Sequence, residues 1–241
     1  MENFNDKIAV ITGASSGIGK AIALKLAESK FNLVLLGRNE QKLQEVKEQA
    51  QNLGSKVFIL IGNLSEDDFS FTAMDKAKEF FGKIDILINN AGQTLNSTLE
   101  NTDLNKFDEL MNINCRAPYI LCQTALKYLR NSDYATIINI ASVVAHNGYV
   151  NQSAYTASKH ALIGWTKSLA KEVFKDGIRV HVVSPGGVFT DMIAISRPDL
   201  TSDGMILPQD VANIVDFLIK NRTNAVIDEI SLHRLGKEPF M

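Results

Sequence analysis

Three side chains in the second half of the chain have the types and spacing to move a proton. Tyr155 and Lys159 stand four residues apart in Tyr-Thr-Ala-Ser-Lys, and Ser142 precedes them in Asn-Ile-Ala-Ser. Residues four apart share one face of a helix. A tyrosine hydroxyl has an unperturbed pKa of ~10, too high for easy proton exchange near neutrality. A nearby ammonium favours the phenolate, so Lys159 is expected to lower that value. Tyr155 can then act as an acid toward a carbonyl oxygen or as a base toward an alcohol. Ser142 can hold the same oxygen and stabilise charge developing there. By itself Tyr-x-x-x-Lys is a common accident on helices, and a lone copy reads as a tyrosine beside a solvated lysine.

A second constellation near the start gives the first its meaning. Thr12-Gly13-Ala14-Ser15-Ser16-Gly17-Ile18-Gly19 follows a β-branched apolar run and opens a helical pattern. Glycines at a strand-to-helix turn let backbone N–H groups approach a pyrophosphate, and the helix aims its positive end at the anion. Gly13, Ser15, Ser16, Gly17, Ile18 and Gly19 are therefore read as a dinucleotide-binding turn. The next strand ends Leu36-Gly37-Arg38-Asn39 with no carboxylate before Glu40. An acidic residue there would hold ribose hydroxyls, as in NAD sites. Arg38, with Asn39 beside it, suits a 2′-phosphate through a planar charged fork. NADP, used as NADPH, is the expected cofactor.

The elements that position these residues alternate without a break. Apolar runs at 7–12, 32–36, 56–61, 84–88, 136–140 and 178–183 read as strands, and 225–232 as a last strand with the alternating polarity of an edge. Helical periodicity covers 17–29, 40–53, 66–81, 103–129, 155–174 and 208–220, with a bend expected at Pro118 and with Pro208 at a helix start. The fold class is therefore α/β, a doubly wound parallel sheet of about seven strands flanked by helices. Residues 1–241 read as a single domain with a substrate loop at about 188–207. Ser142 ends the fifth strand, where sites of parallel sheets gather.

Composition removes other classes. The 241 residues carry 25 Lys and Arg against 27 Asp and Glu, a net charge of −2, so no nucleic-acid partner is expected. Apolar residues are 45% and charged residues 22%, as in an ordinary soluble domain. No apolar run reaches the ~18–20 residues of a membrane span, and the start lacks the pattern of a signal peptide. The two cysteines, Cys115 and Cys122, are seven apart in one predicted helix and cannot pair. A reducing, cytoplasmic setting follows. No metal site is expected.

In order along the chain, the glycine turn, Asn89-Asn90-Ala91-Gly92, Asn114, Ser142, Tyr155-Thr156-Ala157-Ser158-Lys159 and Pro185-Gly186 resemble the short-chain dehydrogenase/reductases. The resemblance runs nearly the whole length and implies a Rossmann fold. It implies a catalytic set of Asn114, Ser142, Tyr155 and Lys159, with Asn114 holding a water of a proton relay and Lys159 also binding the nicotinamide ribose. It implies that Asn90, Ala91 and Gly92 line the cofactor, that Ile18 approaches the nicotinamide side, and that Pro185, Gly186, Val188 and Thr190 close on the carboxamide. Where the family usually has an acidic residue beside the adenine, this chain has Asn63-Leu64, and Asn63 can still bond the adenine amino group through its carbonyl. The ending at 225–230 lacks the glycines common in 3-oxoacyl carrier-protein reductases and looks more like broad-range carbonyl and alcohol enzymes.

The expected activity is hydride transfer between NADP and a small ketone, aldehyde or alcohol, with Tyr155 as general acid and base. A 3-oxoacyl thioester reductase is one alternative. A silent NADP-binding regulatory protein is another, against which the intact Ser142, Tyr155 and Lys159 count. His146, Gln93 and Gln152 border the expected pocket, and His146 reads equally well as a surface histidine. Two helices apolar almost all round, at 119–122 and 161–165, suggest a homodimer or homotetramer interface, as the resemblance also implies.

Overall fold

The computed structural model describes residues 4–190, 193 and 201–238. Seven parallel strands form one sheet: β1 (Ile8–Thr12), β2 (Asn32–Gly37), β3 (Val57–Ile61), β4 (Ile86–Asn89), β5 (Thr136–Ile140), β6 (Arg179–Pro185) and β7 (Glu229–Leu232), in the order β3-β2-β1-β4-β5-β6-β7. The helices are α1 (Gly17–Glu28), α2 (Glu40–Asn52), α3 (Asp67–Phe81), α4 (Leu104–Met111), α5 (Ala117–Leu129), α6 (Ser153–Glu172) and α7 (Pro208–Lys220).

The period of two in β1 and β2 explains the layers. Ala9, Ile11, Leu33 and Leu35 face one side, where Ile22, Leu26, Leu43, Val211 and Val215 of α1, α2 and α7 cover them. Ile8, Val10, Val34 and Leu36 face the other, under Met74, Leu121, Ala125 and Leu169 of α3, α5 and α6. Both faces are buried, which is why these strands are apolar throughout. β7 lies at the sheet edge and is partly exposed, as its alternation predicted.

The chain leaves β1 toward β2 and β3, then crosses back so that β4 pairs with β1. The connections that leave the carboxyl ends of β1 and β4 therefore run to opposite faces of the sheet, the switch point at which such sheets bind nucleotides.

One expectation needs correction. The single helix over 103–129, bent at Pro118, is two helices joined by a π-turn over Asn112–Arg116. The Ala117 N–H reaches back five residues to the Asn112 carbonyl. Pro118 has no N–H to give to the Asn114 carbonyl, so its effect falls one turn earlier than the proline itself. Cys115 and Cys122 accordingly lie in different elements, and both are free.

Candidate active site

At the β1 turn the glycines do steric work. Gly13 has φ +65°, and a Cβ there would lie 2.9 Å from the Ala91 Cα. A Cβ on Gly19 would lie 2.3 Å from the Gly13 carbonyl oxygen. Thr12 completes the junction. Its Oγ1 accepts from the N–H groups of Asn90 and Ala91, both at 2.9 Å, and the Asn90 amide donates to the Thr12 carbonyl at 2.9 Å. The loop after β4 is thereby pinned to the loop after β1.

Ser16 is the N-cap of α1, but its side chain makes no capping bond and the first turn has no acidic residue. The helix presents its N-terminal N–H groups and positive end at the crevice. Asn39, by contrast, caps α2 by accepting from the Lys42 N–H at 2.9 Å. Arg38 beside it is exposed, as the sequence leaves it, and Ser15 Oγ lies 3.5 Å from the Cβ position of Gly37. Asn63 accepts from the Ser65 N–H at 3.2 Å, so its carbonyl already serves a local turn, and Leu64 is buried. This open helix end, the glycine backbone and the exposed Arg38 cation just past the end of β2 fit a dinucleotide with an extra phosphate.

The π-turn carries Asn114 into the interior, fully buried. Its side chain pairs with the Gln93 backbone in both directions, accepting from the N–H at 2.8 Å and donating to the carbonyl at 2.9 Å. It also donates to Ser158 Oγ at 3.0 Å, and Ser158 in turn donates to the Tyr155 carbonyl at 2.8 Å. Gly92 permits this closeness, since a Cβ there would lie 3.1 Å from Asn114 Oδ1 and 3.6 Å from Lys159 Nζ. The three-residue step from Tyr155 to Ser158 marked this face of α6. The sequence reading took Ser158 only as part of a motif.

Lys159 is buried and donates to the Ile140 carbonyl, at the end of β5, at 2.9 Å. Its Nζ stands 6.0 Å from the centre of the Tyr155 ring. Burial pushes the ammonium down to about 8. Burial also pushes the Tyr155 phenol up, against a lowering by the adjacent Ser142 hydroxyl. The expected lowering of Tyr155 by Lys159 is therefore not what this chain alone produces. Desolvation outweighs the Ser142 hydrogen bond, and the Lys159 ammonium turns one of its hydrogens to the Ile140 carbonyl.

A stability test follows. A lysine whose folded pKa lies near 8, below the ordinary 10.5, holds its proton less tightly folded than unfolded. The penalty is complete below about pH 8 and is relieved as pH rises toward 10.5. Lys159→Met is expected to raise the melting temperature of the cofactor-free protein at pH 7, with the gain shrinking toward pH 10. Melting curves at the two pH values check this, and an equal or lower value for the variant at pH 7 would contradict it.

Beyond β6, Gly186 donates to the Leu232 carbonyl at 2.7 Å. Val188 bridges Ile206, and Thr190 comes within 3.2 Å of a Cβ built on Gly17, bringing the 185–190 segment over the glycine turn. Residues 191, 192 and 194–200 of the expected substrate loop lie outside the described residues. His146 is held by Glu229 rather than standing free, a pairing with no signal in the sequence because 83 residues separate the two. Met205 and Arg234 pack against Gly187. No group of His, Cys, Asp and Glu suited to a metal occurs among the described residues.

The comparisons with known proteins agree with this geometry. The family model for the short chain dehydrogenases matches residues 7–201. An oxidoreductase of Staphylococcus epidermidis is 32% identical over 232 residues, covering 96% of this chain and 99% of the relative. A metagenomic short-chain oxidoreductase solved with NADP superposes with a TM-score of 0.85 at 29% identity, over 98% of this chain and 100% of that one. An alcohol dehydrogenase of the archaeon Thermococcus sibiricus, solved with 5-hydroxy-NADP, gives 0.89 at 27% identity, over 97% and 98%. By the family match over residues 7–201, the relative 32% identical over 96% of the chain and the shared strand order, this chain belongs to the short-chain dehydrogenase family of oxidoreductases.

Proposed function

We propose that the protein is an NADP-dependent oxidoreductase that interconverts a small ketone or aldehyde with its alcohol. The observation that carries the reading is one corner beyond β5 shared by the Ser142 hydroxyl, the Tyr155 phenol and the buried Lys159 ammonium. When bound, the cofactor supplies the hydride to the carbonyl carbon, or takes it in the reverse direction. Tyr155 gives its Oη proton to the carbonyl oxygen, and Ser142 donates a hydrogen bond to that oxygen. Lys159 would hold the nicotinamide ribose, and its ammonium would favour the phenolate left on Tyr155. Asn114, braced by Gln93 and Ser158, keeps the relay in place.

Gly13 to Gly19 would take the pyrophosphate. Asn90, Ala91, Gly92, Pro185, Gly186, Val188 and Thr190 would line the nicotinamide half, and Asn63 and Leu64 the adenine. Arg38 would read the 2′-phosphate from the open side of β2, with Asn39 shaping the turn as the cap of α2. The relatives solved with NADP or its 5-hydroxy form support that choice. We take residues 1–241 as one domain with 188–207 as its substrate loop. A homo-oligomer is supported by Tyr119, 53% exposed on α5 and edge-on to Trp165 of α6 at 5.5 Å. No helix among the described residues is long and apolar enough to cross a membrane, and two free cysteines suit a cytoplasmic setting.

The test is oxidation of NADPH and NADH in parallel against ketones, aldehydes, diketones and 3-oxoacyl thioesters. Turnover with NADPH is expected. Arg38→Ala should raise KM for NADPH about 10- to 100-fold, the worth of a charge-assisted bond, and leave KM for NADH nearly unchanged. An equal effect on both cofactors would remove Arg38 from phosphate recognition. Absence of turnover with bound NADPH across the panel would favour the silent, cofactor-binding alternative.

A further inference from the structure

We propose that His146 and Glu229 are positioning residues for Ser142. With Ser184 they form a hydrogen-bonded clasp that ties the turn carrying the serine to the strand that leads into the 185–190 segment. The proposal rests on Ser142 acting in the reaction as read above.

His146 Nε2 lies 2.6 Å from Glu229 Oε1. A carboxylate only accepts, so Nε2 carries the hydrogen. Ser184 Oγ donates to the same oxygen at 3.0 Å, and Ser184 is fully buried. The three residues come from three elements. His146 follows the 3-10 turn Val143–Ala145 that begins at Ser142. Ser184 lies in β6 just before Pro185. Glu229 opens the edge strand β7.

Within residues 142–146 the other backbone bonds are local, whereas Ala141 donates to the Val183 carbonyl at 2.8 Å and the Ser142 hydroxyl meets Tyr155. Val144 donates to Ser142 Oγ at 3.3 Å, Ala145 to the Ser142 carbonyl at 2.9 Å and His146 to the Val143 carbonyl at 3.1 Å. The local bonds curl the turn and the Ala141 bond fixes its start, so its far end at His146 is left to the clasp. Ala145 packs with Leu162 and Ile163 of α6, but that contact has no direction. The carboxylate supplies direction. Its hydrogen bonds are charge-assisted, short and geometrically strict. An apolar pair would serve packing alone equally well. His146 is four residues from Ser142, so the lever is short. Displacing a reacting group by about 1 Å can cost ~100-fold in rate.

The experiment compares His146→Leu, Glu229→Ala, Glu229→Gln and the His146→Leu/Glu229→Ala double variant with the parent, at saturating NADPH and substrate. His146→Leu and Glu229→Ala are each expected to lower kcat at least tenfold while KM for NADPH stays within twofold. The double variant should be no slower than the worse single one, because both break one clasp. Glu229→Gln keeps an acceptor for both hydrogens and should recover at least a third of the parental kcat. Single variants within twofold of the parent, losses that multiply in the double variant, or a Gln variant as slow as Ala would each overturn the proposal.

Amide hydrogen exchange over residues 142–146 reads the clasp without any substrate. His146→Leu should speed it at least tenfold, and unchanged exchange would overturn the clasp. Ser142→Ala separates the two readings. Parental kcat in that variant would refute a catalytic Ser142 while the exchange result still judged the clasp.

Discussion

Tyr155→Phe is expected to lower kcat by 10²- to 10⁴-fold, the usual worth of a positioned general acid, and to leave NADPH binding within threefold. The substitution removes one oxygen and keeps the ring. The phenol is a half-buried group beside the Ser142 hydroxyl, with Lys159 Nζ 6.0 Å from its ring centre. The fold should not register the loss, since no other element depends on the Tyr155 hydroxyl for a strand or helix contact. Steady-state turnover, with cofactor binding followed by Trp165 fluorescence, tests the prediction. A Tyr155→Phe protein with more than a tenth of parental kcat would assign the proton to another group. Because burial alone raises the phenol, any lowering that brings Tyr155 into range must come from the assembled site.

Gly19→Ala is the second large effect, and it acts through space rather than charge. The new methyl would stand 2.3 Å from the Gly13 oxygen, 2.5 Å from the Asn90 amide nitrogen and 2.8 Å from the Gly13 carbonyl carbon. Two of the three are backbone and cannot swing away. The turn must open, which costs about 1–3 kcal/mol as overpacking. For a chain of this length that is a fall in melting temperature of roughly 2–12 °C. The same opening moves the N–H groups at the start of α1 and breaks the Asn90 to Thr12 junction. KM for NADPH should therefore rise at least tenfold. Gly236→Ala, where nothing lies within 4 Å, should change neither quantity. A Gly19→Ala protein with parental melting and KM would mean that the turn has slack that its close contacts deny.

Much of this was legible before any coordinates. Period-two apolar strands and period-four helices determined the layers, because a parallel sheet must be covered on both faces. The glycine turn between the first strand and helix, and a serine at a strand end ahead of a tyrosine–lysine pair, determined the kind of chemistry. Glycine spacing and side-chain type are local properties, readable from neighbours in the chain.

What the sequence could not decide was set by contacts between distant residues. The break in the 103–129 helix falls at the π-turn before Pro118, because the lost hydrogen bond belongs to the carbonyl four residues back. The pKa of Tyr155 is raised by burial against the Ser142 hydrogen bond, while Lys159 donates to the Ile140 carbonyl. Asn39 and Asn63 gained turn roles from their own backbone neighbours. The pairing of His146 with Glu229 spans 83 residues and exists only because β7 joins the sheet beside β6. The sequence by itself determined the fold class and singled out the side chains proposed to react. The tertiary structure alone decided which way their pKa values move and which partners hold them, since desolvation and hydrogen bonding act across space and not along the chain.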